Sequence, residues 1–276
     1  MHPPRGSRVA LTLWVAAAVS GCGATEVDRD GSPPSEPVTT TTVTAPATTT
    51  TTAIPPPIRG VGVAGDSVAL SLLPSLRAAF GALDPRVPEP DVSLLAALGF
   101  GFSADVPGWR LDGVRAPRPS TWVGWQDRAR RVLLAERPDA VVVLGGSWDG
   151  IEREIDGVRT PPGGPGWSPW YEARVLDALD VYASTGARVV WLLIPACTGD
   201  DRRDRGLEQV RAAMRRALDA RPGVPVVDLA PLACSDGPRG APVLEPDGVH
   251  FAHEGAVDVV APWLVRRLRA ALGLAR

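Results

Sequence analysis

Beyond residue 57 the chain alternates two kinds of apolar pattern. Short continuous runs rich in Val and Leu occupy 59–64, 92–95, 140–144, 187–194 and 224–228. Unbroken apolar character of this kind suits strands covered on both faces, as in parallel sheets. Between the runs, apolar residues recur at helical spacing and predict helices over 69–80, 121–136, 169–185, 205–220 and 253–272. The last is the clearest, with Val257, Val260, Trp263, Leu264, Leu268 and Leu272 on one face. Strands alternating with helices argue for crossover connections and an α/β class: a doubly wound, three-layer α/β/α sandwich on a five-stranded parallel sheet. Sites in that architecture lie beyond the carboxyl ends of the strands, where Ser67, Gly146 to Asp149 and the loop after Asp228 all fall.

The N-terminal part follows different rules. Arg5 and Arg8 precede an apolar run over 9–20, and Val19-Ser20-Gly21-Cys22 closes it. Positive start, apolar centre and small-residue end make 1–22 an export signal, too short for an ordinary spanning helix. The ending resembles a bacterial lipobox, which implies that Cys22 becomes the lipidated first residue of the mature protein. The protein would then sit on the cell membrane, facing the envelope; a plain cleaved signal is the alternative. Residues 23–57 read as a tether: from 32 to 57 the chain is almost entirely Pro, Thr, Ala, Val and Ser. Such a composition buries too little apolar surface to offset chain entropy and favours an extended, solvated spacer. That leaves 58–276 as one domain.

Charge and composition narrow the chemistry. The formal net charge of the 276-residue chain is -2, so phosphate-driven binding to nucleic acid has no electrostatic support. Lysine is absent, which excludes a P-loop, a Schiff base and a lysine general base. No Cys/His arrangement has zinc-ligand spacing and no His-Glu-x-x-His occurs, so neither metal nor cofactor is expected. Cys197 and Cys234 each follow a predicted strand at one edge of the sheet. In an exported chain a disulfide between them is expected in preference to two free buried thiols.

Two fragments far apart in the chain hold a nucleophile, a base and an orienter. The first strand runs into Gly65-Asp66-Ser67, and Asp247-Gly248-Val249-His250 stands before the last helix. A serine hydroxyl attacks at neutral pH only when an imidazole takes its proton, and a carboxylate fixes the imidazole's tautomer. Ser67 at the first turn of a helix also lies beside unpaired backbone N–H groups and the positive end of the dipole, which favour an oxyanion there. Singly, Ser67 reads as an ordinary N-cap and Asp247 as a turn residue. Together, after a strand and before a helix, they point to nucleophilic catalysis.

From Arg59 to Arg276 the chain resembles the SGNH (GDSL-type) hydrolases, whose sheet is flavodoxin-like. Gly65-Asp66-Ser67-Val68 matches the family's first block and Asp247-x-x-His250 its last. The resemblance implies Ser67 as nucleophile and first oxyanion donor through its backbone N–H, His250 as general base, Asp247 as its partner, and ester hydrolysis or acyl transfer without metal. For the second block, Leu98-Gly99-Phe100-Gly101-Phe102 offers Gly101 as a further oxyanion donor, with Gly99 in reserve; both glycines equally suit a tight loop. The third block departs from the pattern. The family's Gly-x-Asn-Asp is Gly146-Ser147-Trp148-Asp149 here, so Trp148 stands where an amide normally completes the hole. Its indole N–H is a donor on a much larger ring. Tryptophan at this place resembles SGNH domains of actinobacterial cell-envelope proteins, including those attached to membrane acyltransferases. Gly146, Ser147 and Asp149 are expected to line the substrate site. Ser147 as rival nucleophile lacks the last glycine of Gly-x-Ser-x-Gly, and His253, beside Glu254, reads as the start of the last helix.

Nine tryptophans accompany two tyrosines and four phenylalanines. Trp122, Trp125, Trp167 and Trp170 lie in or near loops, and the Pro- and Gly-rich stretch from Gly157 to Gly166 reads as a rim. Indoles stack on sugar faces, but core packing is the commoner use of each one. The expected function is an exported, monomeric serine esterase or O-acyltransferase acting on acyl esters of cell-envelope carbohydrate or lipid. The alternative is a non-catalytic glycan-binding module of the same fold.

Overall fold

A computed structural model describes residues 56–84, 90–116, 122–234 and 243–274. The leader with Cys22, the tether up to residue 55, and residue 121 at the start of the second predicted helix lie outside the described residues. So do the side chains of His253 and Glu254.

Among the described residues fourteen elements follow in order: β1 (Gly60–Gly65), α1 (Ser67–Gly81), β2 (Asp91–Ala96), β3 (Gly108–Trp109), α2 (Trp125–Glu136), β4 (Ala140–Leu144), β5 (Glu152–Ile155), β6 (Val158–Thr160), α3 (Trp167–Tyr182), β7 (Arg188–Leu193), α4 (Asp201–Asp219), β8 (Val226–Asp228), α5 (Ala230–Ala233) and α6 (His253–Ala271). Five form a parallel sheet in the order β2-β1-β4-β7-β8. All five residues of β4 are buried, and so are the last five of β7. Val and Leu on both faces therefore meet helices on both faces. Helix α1 packs with α6, while α2, α3 and α4 pack in series. These groups cover the two sides of the sheet, the three-layer sandwich expected from the apolar pattern.

Strand order reverses between β1 and β4, which makes that junction the topological switch point. Val61 pairs with Ala140 and Gly65 with Leu144, so both strands end side by side and deliver Ser67 and Gly146 to Asp149 to the same edge. Gly65 makes the turn possible. At φ +139° it adopts a conformation that L side chains avoid, and a Cβ would lie 1.7 Å from the Leu144 carbonyl oxygen.

The apolar periodicity did not reveal the second sheet, a three-stranded antiparallel β3-β5-β6. A signal was present: Asp156 and Gly157 both have positive φ, at 51° and 78°, and form the two-residue turn between β5 and β6. The stretch read as a rim therefore begins in a hairpin and ends at the start of α3. Helix α4 also begins earlier than its predicted start at 205, at Asp201, with Asp200 accepting the Arg202 and Arg203 N–H groups at 2.9 Å each. Gly206 obscures this start in the sequence. It sits where a Cβ would come within 2.4 Å of the Gly150 carbonyl oxygen, so α4 lies directly on the loop after β4.

Candidate active site

Ser67 is the first residue of α1, and Asp66 is its N-cap. His250 arrives from the other end of the chain on a turn whose geometry Asp247 sets, with Asp247 Oδ1 accepting the N–H groups of Val249 (2.9 Å) and His250 (3.0 Å). A bridge between Leu244 and Phe251 closes the turn. Ser71, one turn along α1 from Ser67, accepts the Phe251 N–H at 3.0 Å and so fastens the end of the turn to the helix carrying the serine. Gly248, at φ +67°, lies where a Cβ would be 2.6 Å from the Thr198 Cα.

The three side chains form one hydrogen-bonded line. His250 Nε2 lies 2.8 Å from Ser67 Oγ, and His250 Nδ1 lies 2.5 Å from Asp247 Oδ2. Burial alone would raise the Asp247 carboxyl, but the bonds from the imidazole and the two N–H groups outweigh it and hold the group below its ordinary value. An ionised Asp247 fixes the proton on Nδ1 and leaves Nε2 free to accept the serine proton, so the arrangement can generate an alkoxide-like nucleophile.

Oxyanion donors are less completely furnished. Among the described residues neither the Ser67 nor the Gly101 backbone N–H has a hydrogen-bond partner. Gly101 is placed by Asp149: the carboxylate accepts the N–H of Phe102 at 2.9 Å and of Ser103 at 3.1 Å, and a Cβ on Gly101 would sit 2.4 Å from its Oδ1. Gly99, the reserve, packs instead near Trp122 and Trp148. The chain has no asparagine, so no Asn amide serves anywhere in it. Trp148 is half-buried and lines a cavity of about 550 Å³ with Ser147 and Asp247. Among the described residues its indole N–H has no partner, while its carbonyl accepts Arg153 Nη2 at 2.7 Å.

The three expected substrate contacts divide. Ser147 lines the cavity, yet its N–H and hydroxyl both donate to Asp66 Oδ2, at 3.0 and 2.6 Å. Gly146 and Asp149 are corrected: both are buried behind the wall. A Cβ on Gly146 would lie 2.5 Å from Met214 of α4. The Asp149 carboxylate, 0 % exposed, also accepts the hydroxyls of Ser103 and Tyr171, the latter at 2.8 Å, and lies 3.5 Å from Arg153 Nη2. Burial, then the Asp149 charge, pushes the Tyr171 hydroxyl well above its usual range, so it stays a donor. Burial pulls Arg153 down, with Asp149 opposing. Sequence reasoning missed Ser71, Arg153 and the buried role of Asp66: Ser71 meets Phe251 180 residues away and Asp66 meets Ser147 81 residues away, while Arg153 bonds its neighbours Trp148 and Asp149 in an interior that spacing alone does not report.

The loop tryptophans are mostly core. Trp122, Trp125 and Trp167 are buried, and half-buried Trp170 carries the Arg174 guanidinium 4.4 Å from its ring centroid. Cys197 and Cys234 form a disulfide, fastening the loop after β7 to the end of α5. Among the described residues no cluster could hold a metal ion.

The family described as "Protein of unknown function (DUF459)" matches residues 119–264. The chain belongs to it. Its fold is that of the SGNH hydrolases. The lipase/acylhydrolase from Enterococcus faecalis is 16% identical over 77% of this chain and 96% of its own, with a TM-score of 0.50. The psychrotrophic esterase EstA from Pseudoalteromonas sp. is 11% identical over 78% and 99%, with a TM-score of 0.51. No curated protein sequence matches the chain.

Proposed function

We propose that this DUF459 protein is a serine esterase or O-acyltransferase that works on acyl esters of cell-envelope carbohydrate or lipid. The hydrogen-bonded line Ser67–His250–Asp247 carries the reading. Ser67 Oγ attacks the ester carbonyl while its proton passes to His250 Nε2, and the N–H groups of Ser67 and Gly101 with the Trp148 indole take up the oxyanion. His250 then protonates the departing alcohol, leaving an acyl-Ser67 ester. Water or an acceptor hydroxyl, deprotonated by His250, releases the acyl group and restores the serine. The lipase/acylhydrolase and esterase names of the two structural neighbours accord with this class. Export by residues 1–22 and lipidation at Cys22 would hold the domain at the membrane surface; a Cys22→Ser protein that stays tightly membrane-bound would refute the anchor.

The test is hydrolysis of para-nitrophenyl acetate by the protein and by its Ser67→Ala variant. Loss of turnover in the variant supports the mechanism, and equal rates remove Ser67 from it. Trp148 in place of the amide donor favours one rival, a glycan-binding module that has lost its chemistry. Glycan binding without covalent labelling by a fluorophosphonate would establish that rival instead.

A further inference from the structure

Two unequal spaces adjoin the turns that carry Ser67 and His250. Val68, Ser147, Ile194, Leu207 and Val249 surround a recess of about 10 Å³, roughly the room that one water or one methyl group takes. Val68 follows Ser67 and Val249 precedes His250, so the recess borders the chain on either side of the reacting pair, although neither Ser67 nor His250 itself lines it. It shares Ser147, Thr198 and Leu207 with the cavity of about 550 Å³. That cavity is mixed: Arg110, Asp112, Thr198, Asp200 and Arg203 contribute to its walls beside Leu111, Trp148, Ile151 and Leu207. Arg110 is paired with Asp112 at 2.9 Å, whereas the Arg203 guanidinium has no ion pair among the described residues. A long acyl chain needs a continuous apolar channel; the recess is too small for one, and the cavity carries charged residues beside its apolar ones. A polyhydroxylated alcohol, by contrast, finds donors and acceptors of both kinds.

We propose that the substrate is an acetyl-sized ester of a carbohydrate, with the acyl methyl in the recess by the Ser67 turn and the sugar in the larger cavity. This rests on the serine-esterase reading above and chooses within it: short acyl over long, carbohydrate over lipid. Leu207 and Ile194, both 2 % exposed, set the size of the recess. They are therefore the residues that determine acyl length.

The test is a chain-length series with the full-length protein: para-nitrophenyl acetate, butyrate and octanoate, each with Ser67→Ala as control. The expected kcat/KM for acetate exceeds that for butyrate by about tenfold and that for octanoate by about 100-fold, the range that added methylenes cost in a closed pocket. Leu207→Ala should shrink the acetate-to-butyrate ratio about fivefold. Ile194→Val, which keeps the core nearly filled, should move the ratio the same way by less. A second arm compares acetate release from an O-acetylated oligosaccharide with release from triacetin, and kcat/KM should favour the oligosaccharide about tenfold. Ser67-dependent turnover that ignores chain length, favours octanoate, or keeps its ratio in both variants overturns the acyl assignment alone. Triacetin matching the oligosaccharide overturns the carbohydrate assignment. Absence of Ser67-dependent turnover on every ester overturns the esterase reading itself.

Discussion

Asp66 and Asp247 are built alike. Each accepts the backbone N–H two residues on at 2.9 Å, and each turns its other oxygen to a side chain that lines or enters the site. For Asp66 that partner is the Ser147 hydroxyl at 2.6 Å; for Asp247 it is the His250 imidazole at 2.5 Å. Their surroundings differ. Asp66 is 0 % exposed, and burial pushes its carboxyl up to about 6 against the bonds from Ser147 and Val68. Asp247 has a side chain 45% exposed, so its bonds prevail and its carboxyl falls below the ordinary value. The same turn chemistry thus yields a charge kept ready for an imidazolium in one place and, in the other, a buried strut that takes up its proton near pH 6.

The largest effect should come from the open aspartate and should be kinetic. Asp247→Asn keeps the turn's shape but removes the charge that fixes the imidazole tautomer, so kcat on para-nitrophenyl acetate should fall by roughly 10³- to 10⁴-fold. The melting temperature should change little. A rate within a few-fold of the original would show that His250 does not depend on Asp247.

The next effect is structural and extends the comparison to a third aspartate. Asp149 is as buried as Asp66, yet it answers a buried guanidinium, two backbone N–H groups and two hydroxyls. Asp149→Ala leaves Arg153 charged and unpaired in the interior, and should cost about 3–5 kcal/mol in urea unfolding. If stability drops by less than about 1 kcal/mol, the network does not hold the Gly101 loop in the way described.

These aspartates also mark where the sequence stops being informative. Strands and helices were legible because Val and Leu runs such as Ala140–Leu144 report burial on both faces wherever they lie. Ser67, Asp247 and His250 could be singled out because strand, turn and helix signals surround them. Local spacing cannot tell whether a carboxylate points outward or inward. Asp149 therefore looked like a substrate contact until Phe102, Ser103, Tyr171 and Arg153, four to 47 residues away, were seen converging on it. The β5–β6 hairpin was missed for a different reason. Its strands of four and three residues carry little apolar periodicity, and only Asp156-Gly157 announced the turn.

A pH titration of stability separates the two site aspartates by sign. Asp66 has a folded value of about 6, above its unfolded value, so the native state holds the extra proton between about pH 4 and 6. Its stabilising contribution is full below about pH 4 and is lost as pH rises through 6, by about 3 kcal/mol. For Asp247, with its folded value depressed, the contribution is present above the unfolded value and is lost as pH falls through the folded one. Denaturant unfolding of the protein and of Asp66→Asn, from pH 4 to 7, should give a stability difference that moves in the variant's favour as pH rises. A difference that stays flat would place Asp66 at an ordinary carboxylate value despite its burial.

Ser147→Ala gives the smallest effect and the sharpest check on the buried side. The hydroxyl donates to Asp66 Oδ2 and favours its charged form, while the Ser147 N–H keeps its own bond to the same oxygen. Removing the hydroxyl should lift the Asp66 value further. The loss should be about 1–2 kcal/mol at pH 7, where ionisation is demanded, and should shrink below about pH 4, where Asp66 is protonated folded or unfolded. Combined with Asp66→Asn, the Ser147→Ala loss should fall well short of the single-variant value, because the charged acceptor is already gone. Full additivity would mean that the serine stabilises the loop by some other contact and that Asp66 does not join the two strand ends through it.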